Sequence, residues 1–291
     1  MPAPPKKPRA VAPKAAPSSK KKETRKVKKF AIEPWDGSGE GERVVIYSSS
    51  GMGKTTLASL APEPVFVGVD PGGRKIRRGD QPLLHLPVTN YLELRDCLAQ
   101  PGLFKQGQSL VIDTMTRVES EWIIPEILAT VTNDKGGKVK YIERYGYGKG
   151  WQFVLDHTRL LLSDLDRVAA QGVNIILLCQ EAAITIANAE GTDFLQNGPK
   201  LTHTRQSSCR QEVSEWADHV FRIGYHETDV TAGAEDRVGK IDGDDTTRVI
   251  YTQEARHFTA KSRPIVGRET LEPVISFESV VDDSLWQMMF G

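Results

Sequence analysis

The eight residues Ser48-Ser49-Ser50-Gly51-Met52-Gly53-Lys54-Thr55, followed by Thr56, set two glycines and several small hydroxyl side chains before a single lysine. Backbone N–H groups in such a loop can curl around phosphates, Lys54 would reach the β and γ phosphates, and the Thr55 hydroxyl would sit on magnesium. The pattern G-x-x-x-x-G-K-[ST] asks for glycine where this chain has Ser48, so a residue with a Cβ must make the entry turn. Context separates the motif from a chance Gly-Lys-Thr on a surface turn. The apolar run Arg43-Val44-Val45-Ile46-Tyr47 precedes it, and Leu57, Ala58 and Leu60 follow. That predicts strand, loop and helix in the order phosphate binding requires, with a nucleoside triphosphate as ligand.

A second apolar run, Ser109-Leu110-Val111-Ile112-Asp113-Thr114, closes on an acid about 60 residues after the lysine. This is the form of a Walker B element, in which Asp113 holds magnesium beside Thr55. The segment from Pro64 to Asp70 reads as another buried strand ending in an acid, broken by Pro71-Gly72-Gly73. Residues 83–88 read as a short third strand and Tyr91 to Leu98 as a helix. Over 151–171, Val154, His157, Leu161, Leu165 and Val168 fall at helical spacing. The apolar run Val173 to Cys179 predicts a central parallel strand ending at Gln180-Glu181, and 219–225, 247–252 and 256–261 read as later strands. The alternation predicts an α/β fold with a mostly parallel central sheet, an antiparallel C-terminal extension and catalytic groups at the carboxyl ends of the strands.

The chain is formally neutral, with 38 basic and 38 acidic residues, but the first 29 hold eleven Lys or Arg and one Glu. A basic tail therefore precedes an acidic body. With six prolines and no aromatic residue, 1–29 is expected to be disordered, leaving 30–291 as one folded α/β domain. No apolar stretch approaches the ~18 residues of a membrane helix, so a soluble cytoplasmic protein without a membrane partner is expected. Cys97, Cys179 and Cys209 show no paired spacing and are expected to be ordinary thiols.

Further segments carry a family resemblance: Tyr147-Gly148-Lys149-Gly150-Trp151, the run ending Leu178-Cys179-Gln180, Pro199-Lys200-Leu201, Glu215-Trp216-Ala217-Asp218 and Ala260-Lys261-Ser262-Arg263. With the phosphate loop and Asp113 they resemble, over about residues 43–265, the RecA-like ATPases that bacteriophages encode as single-strand annealing or recombination proteins. The resemblance implies a RecA-like P-loop NTPase, ATP as the nucleotide with Mg2+, a homo-oligomer (ring or filament) and single-stranded DNA as partner. A single-strand-binding protein as further partner and the host bacterial cytoplasm as location go with it.

Residue by residue, the resemblance implies that the acid after the second strand orients the attacking water, which is Asp70 here, although Pro71 stands near where such ATPases often carry a glutamate; Glu181 is the substitute. Gln180 would sense the γ phosphate, or simply end a strand. Lys261 and Arg263 would reach into a neighbour's nucleotide site; two cations at i and i+2 of a strand share a face, whether as such a pair or as an exposed basic edge. Two segments fall where RecA-like recombinases keep DNA loops. One, 131–150, interleaves Lys138, Lys140, Arg144 and other cations with Tyr141, Tyr145 and Tyr147; the other, 182–209, includes Lys200, His203 and Arg205. A lid over the nucleotide is the alternative for either. The basic tail would hold nucleic acid electrostatically or serve as a localisation signal.

Overall fold

Strand β1 (Arg43–Ser48) carries large apolar side chains on both faces, and each face is covered. Val45 and Tyr47 join one buried cluster while Val44 and Ile46 join another. The same division runs through β4 (Ser109–Asp113) and the first half of β5 (Asn174–Ile186), where Leu110 to Ile112 and Ile175 to Cys179 are completely buried. Continuous rather than alternating hydrophobicity is what a sheet with helices on both sides demands.

In this computed structural model residues 39–186, 191–226, 230–231, 240–241, 247–277 and 279–291 are described. The basic segment 1–29 lies outside them. The remaining strands of the main sheet are β2 (Pro64–Gly68), β3 (Leu84–His85), β6 (Phe194–Pro199), β7 (His219–Tyr225), β8 (Arg248–Tyr251), β9 (Lys261–Ser262) and β10 (Val274–Ser276). The order is β10-β8-β7-β1-β5-β4-β2-β3. From β7 to β3 neighbours are parallel, whereas β8, β9 and β10 add on antiparallel.

Helix α1 (Lys54–Ser59) covers one face with the C-terminal helix, and α2 (Tyr91–Ala99) covers the other. On that second face α3 (Met115–Arg117) passes through a π-helical turn, Val118–Ile123, into α4 (Ile124–Thr130). Beside them lie α5 (Lys149–Ala169) and α6 (Cys209–Trp216). Asn90 and Ser208 cap α2 and α6, each accepting the N–H three residues on. The last helix, α7 (Ser284–Phe290), is pinned to α1 by a 2.7 Å hydrogen bond from Trp286 Nε1 to the Leu57 carbonyl.

Three expectations need correction. β5 does not stop at Gln180-Glu181 but runs on to Ile186, pairing antiparallel with β6 from Glu181↔Pro199 to Ile186↔Phe194. The first part of the expected polar loop 182–209 is therefore a hairpin, its backbone groups satisfied by the returning strand. Of the strand expected over 256–261 only Lys261 lies in a strand, the two-residue β9, and β10 extends the sheet unanticipated.

Candidate functional site

The phosphate loop leaves β1 at its carboxyl end and enters α1 through Gly53, whose φ of 98° is the left-handed conformation that glycine adopts without strain. A Cβ there would stand 2.9 Å from Arg248 Nη1 and 3.0 Å from the Phe277 ring, so packing as well as backbone reserves the position for glycine. Arg248 stacks on Phe277 at 4.9 Å and donates to the Met52 carbonyl at 3.4 Å, bracing the loop from β8. Ser48, where the motif asks for glycine, is not at positive φ and is fully buried. Its hydroxyl accepts from Lys54 Nζ at 3.1 Å, so the departure supplies a ligand for the lysine.

Lys54 is 7 % exposed and donates to the carbonyls of Ser48 and Ser49, both at 3.0 Å. Gln180 Oε1 lies 3.4 Å away, so the end of β5 and the loop share one ammonium group. Burial lowers the Lys54 pKa, opposed by the charges of Asp113 and Glu181. Thr55 Oγ1 donates to Asp113 Oδ2 at 2.7 Å. Asp113 is 3 % exposed; burial pushes its carboxyl up to about 6, with the charge of Asp70 adding to the rise and the Thr55 hydrogen bond opposing it. These groups face a cleft of about 300 Å³ that also takes in Ser50, Gly51, Gly53, Thr56 and Asp70. Cleft and donors suit a triphosphate with a hard cation: hydroxyl and carboxylate oxygens side by side are magnesium ligands, and bound magnesium neutralises phosphate charge. Lys54 would supply the side-chain cation and Gly51 and Gly53 the backbone freedom.

Asp70 faces this cleft while its Oδ1 accepts from Gly72 N–H at 3.1 Å and its Oδ2 stands 3.9 Å from Arg117 Nη1. Glu181 turns elsewhere, accepting from Ser49 Oγ at 2.9 Å and pairing with Arg222 Nε at 2.8 Å. Arg222 in turn lies over the Phe258 ring at 4.9 Å. Both oxygens of Glu181 are thus committed.

Lys261 and Arg263 lie well away from their own phosphate loop. Lys261 Nζ donates at 3.2 Å to the carbonyl of Glu215 in α6, on the sheet face opposite α1. Arg263 pairs with Asp218 at 2.8 Å, and Asp218 also holds Arg43 at the amino end of β1.

Of the residues expected to meet DNA, Lys138, Lys140, Arg144, Lys200 and Arg205 are exposed, as are Tyr141 and Tyr147. Tyr145 is a correction. It is 5 % exposed, stands edge-on to Phe153, and its hydroxyl donates to the carbonyls of Ile127 and Val131 at the end of α4, so it closes the core instead of offering a stacking ring. Sequence reasoning missed Arg117, Arg222, Arg248 and Phe277, whose contacts around the site, to Asp70, to Glu181 and between Arg248 and Phe277, join separate elements of the chain.

No curated protein matches the chain in sequence. Two solved structures overlay on much of the chain. The flagellar accessory protein FlaH from Methanocaldococcus jannaschii is 10% identical and covers 82% of this chain and 86% of its own, with a TM-score of 0.42. A KaiC-like protein from Pyrococcus horikoshii is 14% identical and covers 82% and 90%, with a TM-score of 0.38. A model of the AAA domain family matches residues 40–264, which holds the phosphate loop, Asp113 and every parallel strand. The fold is α/β with a mostly parallel central sheet and a phosphate loop at its carboxyl edge, and the chain belongs to the AAA domain family as a P-loop ATPase.

Proposed function

We propose that this ATPase is magnesium-dependent and acts on single-stranded DNA as a homo-oligomer, in annealing or homologous recombination. The observation that carries the catalytic part is the 2.7 Å contact between Thr55 and Asp113 beside the buried ammonium of Lys54, the arrangement a metal–phosphate pair needs. Asp70 is the general base in this reading, because it faces the cleft whereas Glu181 is held by Ser49 and Arg222. Gln180, one hydrogen bond from Lys54, senses the γ phosphate.

The DNA part is supported by the exposed Lys140, Arg144, Tyr141 and Tyr147 on the 131–150 segment, since single strands are held by cations interleaved with stacking rings. The basic tail adds sequence-independent phosphate contacts. The oligomer is supported by the remoteness of Lys261 and Arg263 from their own loop: a role for them in phosphoryl transfer needs a neighbour's site. A single-strand-binding protein is a further partner in this reading. Turnover of Mg–ATP, measured with and without single-stranded DNA, tests it. Stimulation by the strand is expected. Turnover that needs duplex or ignores DNA indicates a helicase- or packaging-type motor, and nucleotide binding without turnover indicates an adaptor; either result overturns the proposal.

A further inference from the structure

Thr116, three residues beyond Asp113, joins the helix after the metal-binding strand to both ends of the β5–β6 hairpin. Its hydroxyl accepts the Gln180 N–H at 3.0 Å and donates to the Lys200 carbonyl at 3.0 Å, which uses its one proton. The Lys200 N–H donates to the Gln180 carbonyl at 2.7 Å, closing a ring of three bonds around the root of the hairpin. One turn along the helix, Glu119 Oε1 accepts both the N–H and the hydroxyl of Thr202 at 2.8 Å. Glu119 is itself buried, so this second pin is well removed from water.

The arrangement bears directly on catalysis because the residue held by Thr116 is the one whose side chain meets Lys54. Thr114 caps α3 and fixes Thr116 relative to Asp113. Gln180 therefore cannot move its backbone toward or away from a phosphate without stretching a bond to Thr116 or to Lys200. Any such movement reaches the hairpin at Lys200 and Thr202. We infer that Thr116 is a positioning residue of the ATPase: it sets where the Gln180 amide stands against Lys54 and Asp113, and with Glu119 it passes displacement of that amide to the paired strands 181–186 and 194–199. This rests on the reading of the phosphate cleft given above.

Thr116 is only half-buried, so Thr116→Val keeps the branched shape, removes the hydroxyl and should leave the fold intact. Expected is a fall in kcat of about tenfold or more, with affinity for a non-hydrolysable ATP analogue changed by less than about threefold. Thr116→Ser, which restores the hydroxyl, should return kcat to near wild type. A folded Thr116→Val protein with wild-type kcat overturns the inference. So does a loss of binding together with turnover that serine fails to rescue, since that marks a merely structural role. Hydrogen exchange of the hairpin amides in the wild-type chain gives an arm independent of the variant's folding: Mg–analogue should change their protection, and unchanged exchange overturns the relay. A wild-type chain that neither binds nor turns over nucleotide would instead indict the cleft itself.

Discussion

Asp113 is held as a carboxylate in a place that disfavours charge, and replacing it should therefore stabilise the metal-free protein while destroying its chemistry. Burial and the neighbouring Asp70 lift its carboxyl from an ordinary 3.8 to about 6. That difference corresponds to about 3 kcal/mol at pH values above both. The sign is fixed by linkage: between 3.8 and 6 the folded chain keeps a proton that the unfolded chain has lost, so wild-type stability falls as pH rises through this window. Asp113→Asn keeps an acceptor for the Thr55 hydroxyl and carries no charge. In EDTA at pH 8 it should melt above wild type by roughly 6–12 °C, and the advantage should close toward pH 4. Turnover of Mg–ATP by the same variant should be lost, because a neutral amide is a poor partner for magnesium. A variant that melts no higher than wild type at pH 8, or whose advantage is the same at pH 4, would refute the claim that desolvated charge is stored at Asp113.

Lys54→Ala should fold normally and lose nucleotide affinity by at least about tenfold, the scale of a charge-assisted phosphate contact; unchanged affinity in an equilibrium titration would remove the phosphate-loop assignment. Lys261→Ala combined with Arg263→Ala should leave binding intact and lower DNA-stimulated turnover by a factor on the order of a thousand, and mixing it with Lys54→Ala subunits should restore some activity if the pair acts in trans. Co-assembled but inactive mixtures would sink the trans role. Gly198→Ala should cost about 1–3 kcal/mol, because a Cβ there overlaps the buried Arg210 guanidinium that donates to the Ala182 and Gln196 carbonyls at 3.2 Å; proteolysis at the hairpin should quicken, and an unchanged cleavage rate and melting point would contradict that packing.

What could be read from the chain was what local pattern encodes. The phosphate loop, the acid closing β4 and the apolar runs of β1, β2 and β5 each announce themselves within ten residues, because a strand buried on both faces and a loop that cradles phosphate constrain consecutive positions. The hairpin was missed since the stretch after Gln180 becomes a strand only when Phe194–Pro199 returns to pair with it. Tyr145 looked like a stacking ring among cations, yet α4 ends with carbonyls that its hydroxyl satisfies, a need visible only once the helix end is placed. Thr116 and Arg248 carry no spacing signal at all: Thr116 meets Gln180, 64 residues on, and Arg248 meets Met52, 196 residues back.

The position of β1 in the sheet also has a consequence for biosynthesis. Both neighbours of this strand come from the later half of the chain: Val44 pairs with Ile176 on one side and with His219 on the other. At translation rates of about 5–20 residues per second, roughly 9–35 s separate emergence of the phosphate strand from that of its last partner. Throughout that interval an apolar strand stands ready to pair with whatever edge it meets, and the slow step of folding should be this closure across most of the chain length. Nucleotide cannot template the early stages, since the cradle is incomplete until β4 and β5 bring Asp113 and Gln180 beside the loop.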